Sequence, residues 1–413
     1  MTDSAAPNPD AAEAEALADR VRDGDFRLHE LEAHADADTA AAARRLLVEE
    51  QSDASLDAVG DYSFPAEQAD PNIENMVGAA QIPLGVVGPV TVDGGALSGE
   101  RYLPLATTEG ALLASVNRGL SVVDAAGGAR ARVTKSGMTR APVFRVADVV
   151  EAEALVSWVR DNEPALKEAA EETTNHGELL DVTPYVVGNS VFLRFRYDTK
   201  DAMGMNMVTI ATQAACDVVE EETTASLVAL SGNLCTDKKP AAINAVEGRG
   251  RSVTADVTIP REIVEERLHT TPEAVAEINT RKNLVGSAKA GSLGFNAHVA
   301  NVVAAMFLAT GQDAAQVVEG SNAITTAEVQ GGDLYVSVSL ASLEVGTVGG
   351  GTKLPTQAEG LDVLGVRGGG DPAGANADAL AEAIAVGSLA GELSLLAALG
   401  SRHLSSAHEE LGR

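Results

Sequence analysis

The pattern that decides the fold lies in two neighbouring runs, Val191-Phe-Leu-Arg-Phe-Arg-Tyr197 and Asp201-Ala-Met-Gly-Met-Asn-Met207. The first run predicts a strand, and the second predicts a glycine turn that leads into a helix. A strand, a turn with glycine and a helix N-terminus can together hold a diphosphate. Three methionines at alternating positions are more often core residues, so at this point both interpretations stay open.

Working outward from these runs, the chain predicts a small α+β sandwich. The order strand, helix, strand, strand, helix is close to a split β-α-β unit. Because the flanking chain does not share this order, we expect the segment to be an inserted domain. Its predicted elements are strands at Val143–Val146, Asp181–Val187 and Val191–Tyr197, and helices at Val150–Glu172 and Met205–Glu222.

The predicted fold class for the whole chain is α+β. We expect a large mixed α/β domain from residues 71–141 and 231–413, with a small ferredoxin-like (split β-α-β) domain inserted at 142–230. Residues 1–70 form an acidic helical N-terminal segment. Further predicted elements are helices at Ala11–Arg22, Asp38–Gln51, Thr107–Val123 and Asn376–Ser401, and a strand at Gly85–Val92.

Charge excludes several classes of protein. The 413 residues include 60 acidic and 30 basic side chains, a net charge of −30. Proteins that bind nucleic acid through phosphate contacts need a basic surface, and an anionic membrane would repel this chain. The apolar share of 45% still allows a core. Only eight of the 30 basic residues are lysine, and scarce lysine with abundant acid suits a cytoplasm of very high salt.

Other features predict a soluble cytoplasmic protein without a metal. Two cysteines, Cys216 and Cys235, exclude a disulfide scaffold and a cysteine-rich metal site. The N-terminus has no signal-peptide pattern, and no uninterrupted apolar run approaches the ~20 residues that span a bilayer. None of the seven histidines has a partner at metal-ligand spacing, so we expect no metal site.

The run Cys235-Thr-Asp-Lys-Lys-Pro240 is the first candidate for chemistry. Two adjacent lysines beside an aspartate can bind an anionic substrate and stabilise an oxyanion. A solvated surface turn is the ordinary alternative for a lone run of this kind. The neighbouring Gly232-Asn233 and Glu247-Gly-Arg-Gly250 make the surface turn a weaker interpretation.

Other candidates each have an ordinary explanation as well. Glu109 is expected to open a helix, where it would complement the helix dipole, and it becomes a proton donor only if it is buried near Lys238. Asp313 follows Gly311 and is expected to cap the next helix. The run Gly346-Thr-Val-Gly-Gly-Gly-Thr352 can form an anion nest or a flexible turn. His403 and His408 lie in a polar tail, where histidine is usually inert.

Taken together, these motifs resemble the 3-hydroxy-3-methylglutaryl-coenzyme A reductase family over residues 70–410. Seven long runs in order make a chance match negligible, and the forms Thr-Thr-Glu-Gly and Met-Gly-Met-Asn-Met resemble its biosynthetic class. The acidic, lysine-poor composition adds the expectation of a soluble, haloarchaeal-like member. The runs are Glu74–Gly78, Thr107–Gly110, Asp201–Met207, Gly232–Asn244, Lys282–Gly286, Gly311–Gln316 and Gly346–Thr352.

The resemblance implies reduction of the thioester to mevalonate and coenzyme A with two hydrides from NADPH, for isoprenoid synthesis. It implies that Lys238 stabilises the oxyanion, that Glu109 supplies a proton, and that Asp313 lies between them. His408 would protonate the departing thiolate. The resemblance also implies a homodimer or tetramer with the active site at the subunit interface.

Binding residues follow from the same resemblance, position by position. Implied contacts of the hydroxymethylglutaryl group are Arg140, Ser231, Asp237, Lys239, Lys282 and Asn301, and those of coenzyme A are Ser115, Asn117, Arg118, His298 and His403. The inserted domain would bind the cofactor through Thr174, His176, Asp201, Met203, Gly204, Met205, Asn206, Gly349, Gly350 and Gly351. Where the family often has an arginine for the 2′-phosphate, this chain has Thr173-Thr-Asn-His176.

Two other functions compete with this one. The first is an NAD-dependent oxidation of mevalonate, as in the degradative class of the same family. The second is a binding protein for acyl-coenzyme A without catalytic activity, which is disfavoured because all four implied catalytic positions are present.

Overall fold

The structure is a computed structural model that describes residues 9–411, with side chains as far as Ser401. Its α-helices are α1 Ala11–Arg22, α2 Ala37–Ser52, α3 Asp57–Gly60, α4 Leu112–Ala125, α5 Val149–Asp161, α6 Glu163–Glu171, α7 Met205–Glu222, α8 Ala242–Glu247, α9 Arg261–Leu268, α10 Pro272–Ile278, α11 Ser287–Ala290, α12 Val299–Thr310, α13 Val317–Gly320, α14 Pro355–Leu364 and α15 Ala375–Leu411. A π-helix, Asn279–Gly286, joins α10 to α11.

The strands are β1 Leu84–Gly94, β2 Ser98–Ala106, β3 Ala129–Arg140, β4 Val143–Arg145, β5 Glu178–Val187, β6 Ser190–Asp198, β7 Ser226–Ala229, β8 Gly250–Ile259, β9 Ala323–Gln330 and β10 Asp333–Leu343. Six of them form a large sheet in the order β2-β1-β3-β8-β10-β9, in which only the β1–β3 pair is parallel. Helices α4, α12 and α15 pack against this sheet and complete the largest hydrophobic core.

The inserted segment forms a second sheet with its own core. Its order is β7-β4-β6-β5 with antiparallel neighbours, so the chain order β4-α5-α6-β5-β6-α7-β7 is the predicted split β-α-β arrangement. Helices α5, α6 and α7 cover the sheet, and Phe144, Phe195 and Tyr197 are buried beneath them. Both cysteines of the chain are free and buried.

Strand β3 joins the two sheets. Residues 130–137 pair with β8 of the large sheet, and the last three residues of the strand pair with β6 of the small one. Arg140 therefore lies at the point where the chain passes from one core into the other. A continuous strand is stiff, and it holds the two sheets in a defined relation next to this residue.

Two predicted helices differ from the structure. The helix expected at Val150–Glu172 is two helices, because Asn162 leaves helical geometry and Pro164 begins a new first turn. The helix expected from Thr107 begins only at Leu112, because Ala111 adopts a left-handed conformation (φ 68°) and Gly110 is a poor helix former. Glu109 consequently lies in the turn before the helix.

Helix α15 is the apolar centre of the large domain. Its segment Ala375–Ser401 is long and apolar enough to cross a membrane by composition, but 83% of its apolar window is buried inside the protein. Two buried glutamates on this helix, Glu382 and Glu392, accept hydrogen bonds from the main chain of other elements. These features are typical of a core helix.

The N-terminal helices α1 and α2 pack into a small cluster of their own. Arg44, only 2% exposed, binds Glu32 and the carbonyl oxygen of Met76, while Arg45 donates to the carbonyl oxygen of Val77 at 2.8 Å. The acidic segment is therefore tied to the Glu74–Gly78 run.

Close packing of α4 on α15 makes a testable prediction. A Cβ at Gly119 would lie 2.0 Å from the carbonyl oxygen of Ala390, a contact that only a shift of one helix could relieve. We expect Gly119→Ala to lower the free energy of unfolding by about 1–3 kcal/mol, although alanine favours helices. Gly110→Ala is the matched control, because a Cβ there meets nothing within 4 Å. Denaturant unfolding in molar KCl would measure both, and a neutral Gly119→Ala would contradict the close contact.

Candidate functional site

The loop that carries Lys238 has a strained backbone. Asn233, Thr236 and Lys238 all have left-handed conformations, with φ values of 63°, 50° and 59°. Side chains other than glycine rarely adopt this region, and each such residue costs on the order of 1–3 kcal/mol. Strain of this kind persists only where surrounding contacts enforce it.

Those contacts come from the segment that follows α12. Gly311 ends that helix and Asp313 caps the next turn through the N–H of Ala315, both as predicted. Asp313 also binds Lys238, with 2.8 Å between Oδ2 and Nζ. This bond raises the pKa of Lys238 above its ordinary value. The lysine is therefore a fixed cation that remains about half exposed.

Asp237, an expected substrate contact, is held from two sides. Its Oδ1 accepts a hydrogen bond from Gln316 at 2.8 Å and lies 3.1 Å from Nη2 of Arg249. Burial raises the pKa of Asp237, but the Gln316 hydrogen bond and the Arg249 charge outweigh burial, so the pKa falls below its ordinary value. The carboxylate is ionised, and one of its oxygens is already used by the protein.

A fully buried ionic cluster lies behind this loop. Arg249 is 3.1 Å from Glu319 and 3.4 Å from Glu344, and none of the three side chains is exposed. Glu319 also accepts hydrogen bonds from the main-chain N–H of Lys238 and from Asn244 Nδ2. Sequence reasoning missed Glu319 and Glu344. The sequence does contain a signal for Glu319, because polar side chains occur at every third position from Asp313 through Gln316 to Glu319.

Glu344 is the unusual member of the cluster. Neither of its oxygens has a hydrogen-bond partner within the part of the chain whose side chains are described. Complete burial raises its pKa well above the ordinary value, and the adjacent Glu319 raises it further, while Arg249 only partly opposes this. The protonated form of Glu344 is therefore favoured relative to an ordinary glutamate side chain.

Three expected substrate contacts accompany the loop. Ser231 lies 3.6 Å from the sulfur of Cys235, and Lys239 donates to the carbonyl oxygen of Asp237. Arg140 contributes to the lowered pKa of Asp237, and its buried Nε has no hydrogen-bond partner among the described residues. Arg140 and Lys239 thus both lie near Asp237. Neither forms an ion pair with a carboxylate among the described residues, so their positive charge is available to an anion.

A second group of expected residues surrounds Glu109. Here the structure differs from the sequence expectation: Glu109 is exposed, and it accepts a hydrogen bond from Asn301 Nδ2 at 3.2 Å. No hydrogen bond or ion pair among the described residues joins it to Lys238 or Asp313. The expectation that Asp313 lies between Glu109 and Lys238 therefore does not hold within one chain. The reason is that Asp313 follows the C-terminus of α12, whereas Asn301 lies in its first turn.

The expected coenzyme A contacts cluster on the same side as Glu109. One turn of α15 organises them: Ser394 binds Ser115 and Arg118, and the Gly391 carbonyl is 2.8 Å from Nε2 of His298. Glu392 holds the main chain of His298, and Asn283 of the π-helix reaches the same carboxylate. Asn117 is exposed and accepts from the Gly88 N–H, and Lys282 donates to Asn283.

The expected cofactor residues line a cavity of about 630 Å³. Met203, Gly204, Met205 and Asn206 form one wall, Gly349, Gly350 and Gly351 form another, and Asp313 closes a third. A Cβ at Gly346 would lie 2.4 Å from the Met203 nitrogen, so glycine is required where the two runs meet. Helix α7 begins here without a side-chain cap, after Gly204 in a left-handed conformation. Its first N–H groups are therefore available to an anion.

Three expected cofactor residues do not line this cavity. Asp201 is only 5% exposed, and its carboxylate accepts hydrogen bonds from the N–H groups of Gly370, Gly374, Asn376 and Ala377. The carboxylate thus ties the cofactor turn to the start of α15. Thr174 bonds to the sulfur of Met207, and His176 is exposed.

Two expectations lie beyond the described side chains. His403 and His408 fall outside the residues whose side chains the structure describes. Among the side chains that are described, no three of His, Cys, Asp or Glu form a group that could hold a metal ion.

Comparison with known proteins gives one consistent family. The sequence model of the hydroxymethylglutaryl-coenzyme A reductase family matches residues 40–413. The 3-hydroxy-3-methylglutaryl-coenzyme A reductase of Haloferax volcanii is 86% identical over 401 residues, covering 97% of this chain and 100% of that one. The corresponding protein of Halobacterium salinarum is 73% identical, covering 97% and 99%.

Solved structures show the same fold at low identity. The class II reductase of Streptococcus pneumoniae, bound to NADPH in open conformations, aligns with a TM-score of 0.65 and 21% identity. The alignment covers 90% of this chain and 96% of that one. It supports the α+β class with its inserted domain.

The proton on Glu344 predicts a pH dependence of stability. The pKa of Glu344 is raised in the folded state above 4.5, so the stability this proton provides is complete below pH 4.5 and is lost as pH rises towards the folded pKa. A glutamine side chain cannot titrate. In this window the free energy of unfolding of Glu344→Gln should therefore rise relative to that of the wild type by up to about 1.4 kcal/mol per pH unit. Unfolding of both proteins from pH 4.5 to 8 in molar KCl measures the difference. Parallel curves would contradict a proton on Glu344.

Proposed function

The chain belongs to the hydroxymethylglutaryl-coenzyme A reductase family, and from this premise we infer that it reduces 3-hydroxy-3-methylglutaryl-coenzyme A to mevalonate and coenzyme A with NADPH. The single observation that carries the inference is the position of Asp313. It binds Lys238 on one side and lines the cavity of the cofactor candidates on the other. A fixed cation and a cofactor cavity therefore share one residue.

Lys238 has the properties that carbonyl reduction needs. Negative charge develops on the carbonyl oxygen of the thioester and later of the aldehyde, and a fixed cation stabilises it. Because Asp313 raises the pKa of Lys238, the lysine stays protonated at neutral and moderately alkaline pH. Arg140 and Lys239 supply further positive charge for the free carboxylate of the hydroxymethylglutaryl group.

The cavity beside Asp313 fits a nicotinamide dinucleotide. The uncapped start of α7 suits a diphosphate, and Gly349 and Gly350 have left-handed backbones with open space where a Cβ would be. When bound, NADPH supplies the hydride for each reduction. Thr174 and His176 lie in the segment expected near the 2′-phosphate, where hydrogen-bond donors replace the arginine found in many relatives.

We propose that the complete site forms between two subunits of a homodimer or tetramer. Glu109, Lys282, Asn301 and the coenzyme A candidates form one half, and Lys238, Asp313 and their neighbours form the other. The two halves have no hydrogen bond or ion pair in common among the described residues, and Glu109 is exposed. Pairing of opposite halves would bring a proton donor to the fixed lysine.

Further proposals concern the organisation and place of the enzyme. We propose that residues 142–230 act as the NADPH-binding domain, inserted in a substrate-binding domain of residues 71–141 and 231–413, after the helical segment 1–70. His408 would protonate the departing thiolate, and His403 would contact coenzyme A. The enzyme would work in the cytoplasm and supply mevalonate for isoprenoids.

One assay tests the reaction. We expect the protein in molar KCl to oxidise two NADPH for each hydroxymethylglutaryl-coenzyme A, with slower oxidation of NADH. Lys238→Ala should lower kcat by about 100- to 1000-fold because the oxyanion loses its cation. Cofactor absorbance at fixed salt measures the oxidation of NADPH, the oxidation of NADH and the kcat of Lys238→Ala. No oxidation of either cofactor would contradict the function, and faster turnover with NADH would favour the mevalonate-oxidising alternative.

Subunit complementation tests the shared site. We expect Glu109→Ala and Lys238→Ala to be inactive separately, because each removes one half of every site. Co-expression should restore up to about a quarter of wild-type activity, since half of the random dimers carry one intact site. Co-expressed Lys238→Ala and Asp313→Asn form the matched control and should stay inactive, because both changes affect the same half. Absence of recovery in the first pair would place the complete site within one chain.

A further inference from the structure

Three side chains at a spacing of three residues hold the lysine loop from one side. Asp313 binds the ammonium of Lys238, Gln316 donates to the carboxylate of Asp237, and Glu319 accepts from the main-chain N–H of Lys238. The first two contacts end on side chains. The third is the one that acts on the backbone of the lysine itself.

The surroundings of Glu319 hold its side chain in position for this contact. It is completely buried, and its other hydrogen bonds come from Asn244 Nδ2 at 2.7 Å and from Arg249 at 3.1 Å and 3.2 Å. Asn244 in turn donates to the carbonyl oxygen of Cys235, in the same loop as Lys238. The carboxylate therefore reaches the loop both directly and through Asn244.

The contact also explains how a strained conformation persists. Lys238 has a φ of 59°, which is unfavourable for a residue with a side chain. A hydrogen bond from a main-chain N–H to a buried carboxylate is charge-assisted and roughly twice as strong as a neutral one. Such a bond can offset the backbone strain at this position.

We propose that Glu319 is a positioning residue for the reduction: its carboxylate fixes the main chain of Lys238 in the left-handed conformation that directs the ammonium to Asp313. The proposal rests on the role of Lys238 in the proposed function. Its alternative is that Glu319 serves only as the counter-ion of Arg249. Asp237 also lies 3.1 Å from Arg249 and has a lowered pKa, so a carboxylate still balances the charge of Arg249 without Glu319.

The main-chain N–H of Lys238 gives a direct test without any turnover. The chain has only eight lysines, so protein labelled with ¹⁵N-lysine gives eight main-chain signals, and Lys238→Arg assigns the relevant one. In the wild type we expect a strongly downfield, slowly exchanging amide proton. In Glu319→Gln it should move upfield and exchange faster. An ordinary, fast-exchanging signal in the wild type contradicts the proposal, even if no variant folds.

Kinetics separate positioning from charge balance. We expect Glu319→Gln to lower kcat by about 10- to 100-fold with little change in KM, because a displacement near 1 Å is enough for such a loss. Glu319→Asp keeps the charge beside Arg249 but retracts it from Lys238, so it should lose kcat to a similar extent. If Glu319→Asp keeps wild-type kcat while Glu319→Gln does not, Glu319 is only a counter-ion and the proposal is wrong.

Glu382→Gln is the matched control. Glu382 on α15 is also buried and accepts from three main-chain N–H groups, those of Gly95, Ala96 and Leu97, but these belong to the β1–β2 turn and not to the lysine loop. We expect the Glu382→Gln substitution to lower the unfolding midpoint and to leave kcat unchanged. Equal loss of kcat in Glu382→Gln and Glu319→Gln would overturn the specific role of Glu319. A wild type that is inactive, but has the downfield Lys238 amide, would refute the proposed function and not the contact.

Discussion

The buried charge of Arg249 is the constraint on which the site depends. Its guanidinium has no exposure and lies within 3.4 Å of three carboxyl groups, on Asp237, Glu319 and Glu344. A buried ion is unfavourable unless partners replace its hydration, and three ionised partners would leave excess negative charge. The raised pKa of Glu344, which favours its neutral form, reduces this excess. Of the other two acidic residues, Glu319 binds the main chain of the loop that carries Lys238, and Asp237 belongs to that loop.

This arrangement keeps a strained loop in place next to solvent. In its proposed role Lys238 has to be reachable by a substrate, and its side chain is about half exposed, so burial of that side chain does not hold it in place. The loop is instead fixed from behind, through its main chain and through Asp313. Rigid support for an exposed cation reduces the reorganisation that would otherwise accompany charge development in the reaction.

The net charge of the segment that carries the lysine loop differs from that of the whole chain. The whole chain has a net charge of −30, yet residues 231–320 contain nine basic and ten acidic residues, a net of −1. The acidic surplus therefore lies outside the segment with Lys238, Lys239 and Lys282, where it interacts with water and salt. A site for a carboxylate, a phosphorylated carrier and a dinucleotide needs the near-neutral balance found here.

The sequence by itself determined the architecture and supplied the exposed candidate site residues. Strand and helix periodicity placed the split β-α-β insertion, and Met205–Glu222 and Ala11–Arg22 have the predicted bounds, because these elements follow from local patterns. Only the tertiary structure decided which residues meet. It separated Glu109 from Lys238, turned Asp201 towards the start of α15, and joined Arg249, Glu319 and Glu344 from separate segments of the chain. The physical reason is that burial and electrostatic pairing depend on packing between distant segments, and no local pattern encodes them.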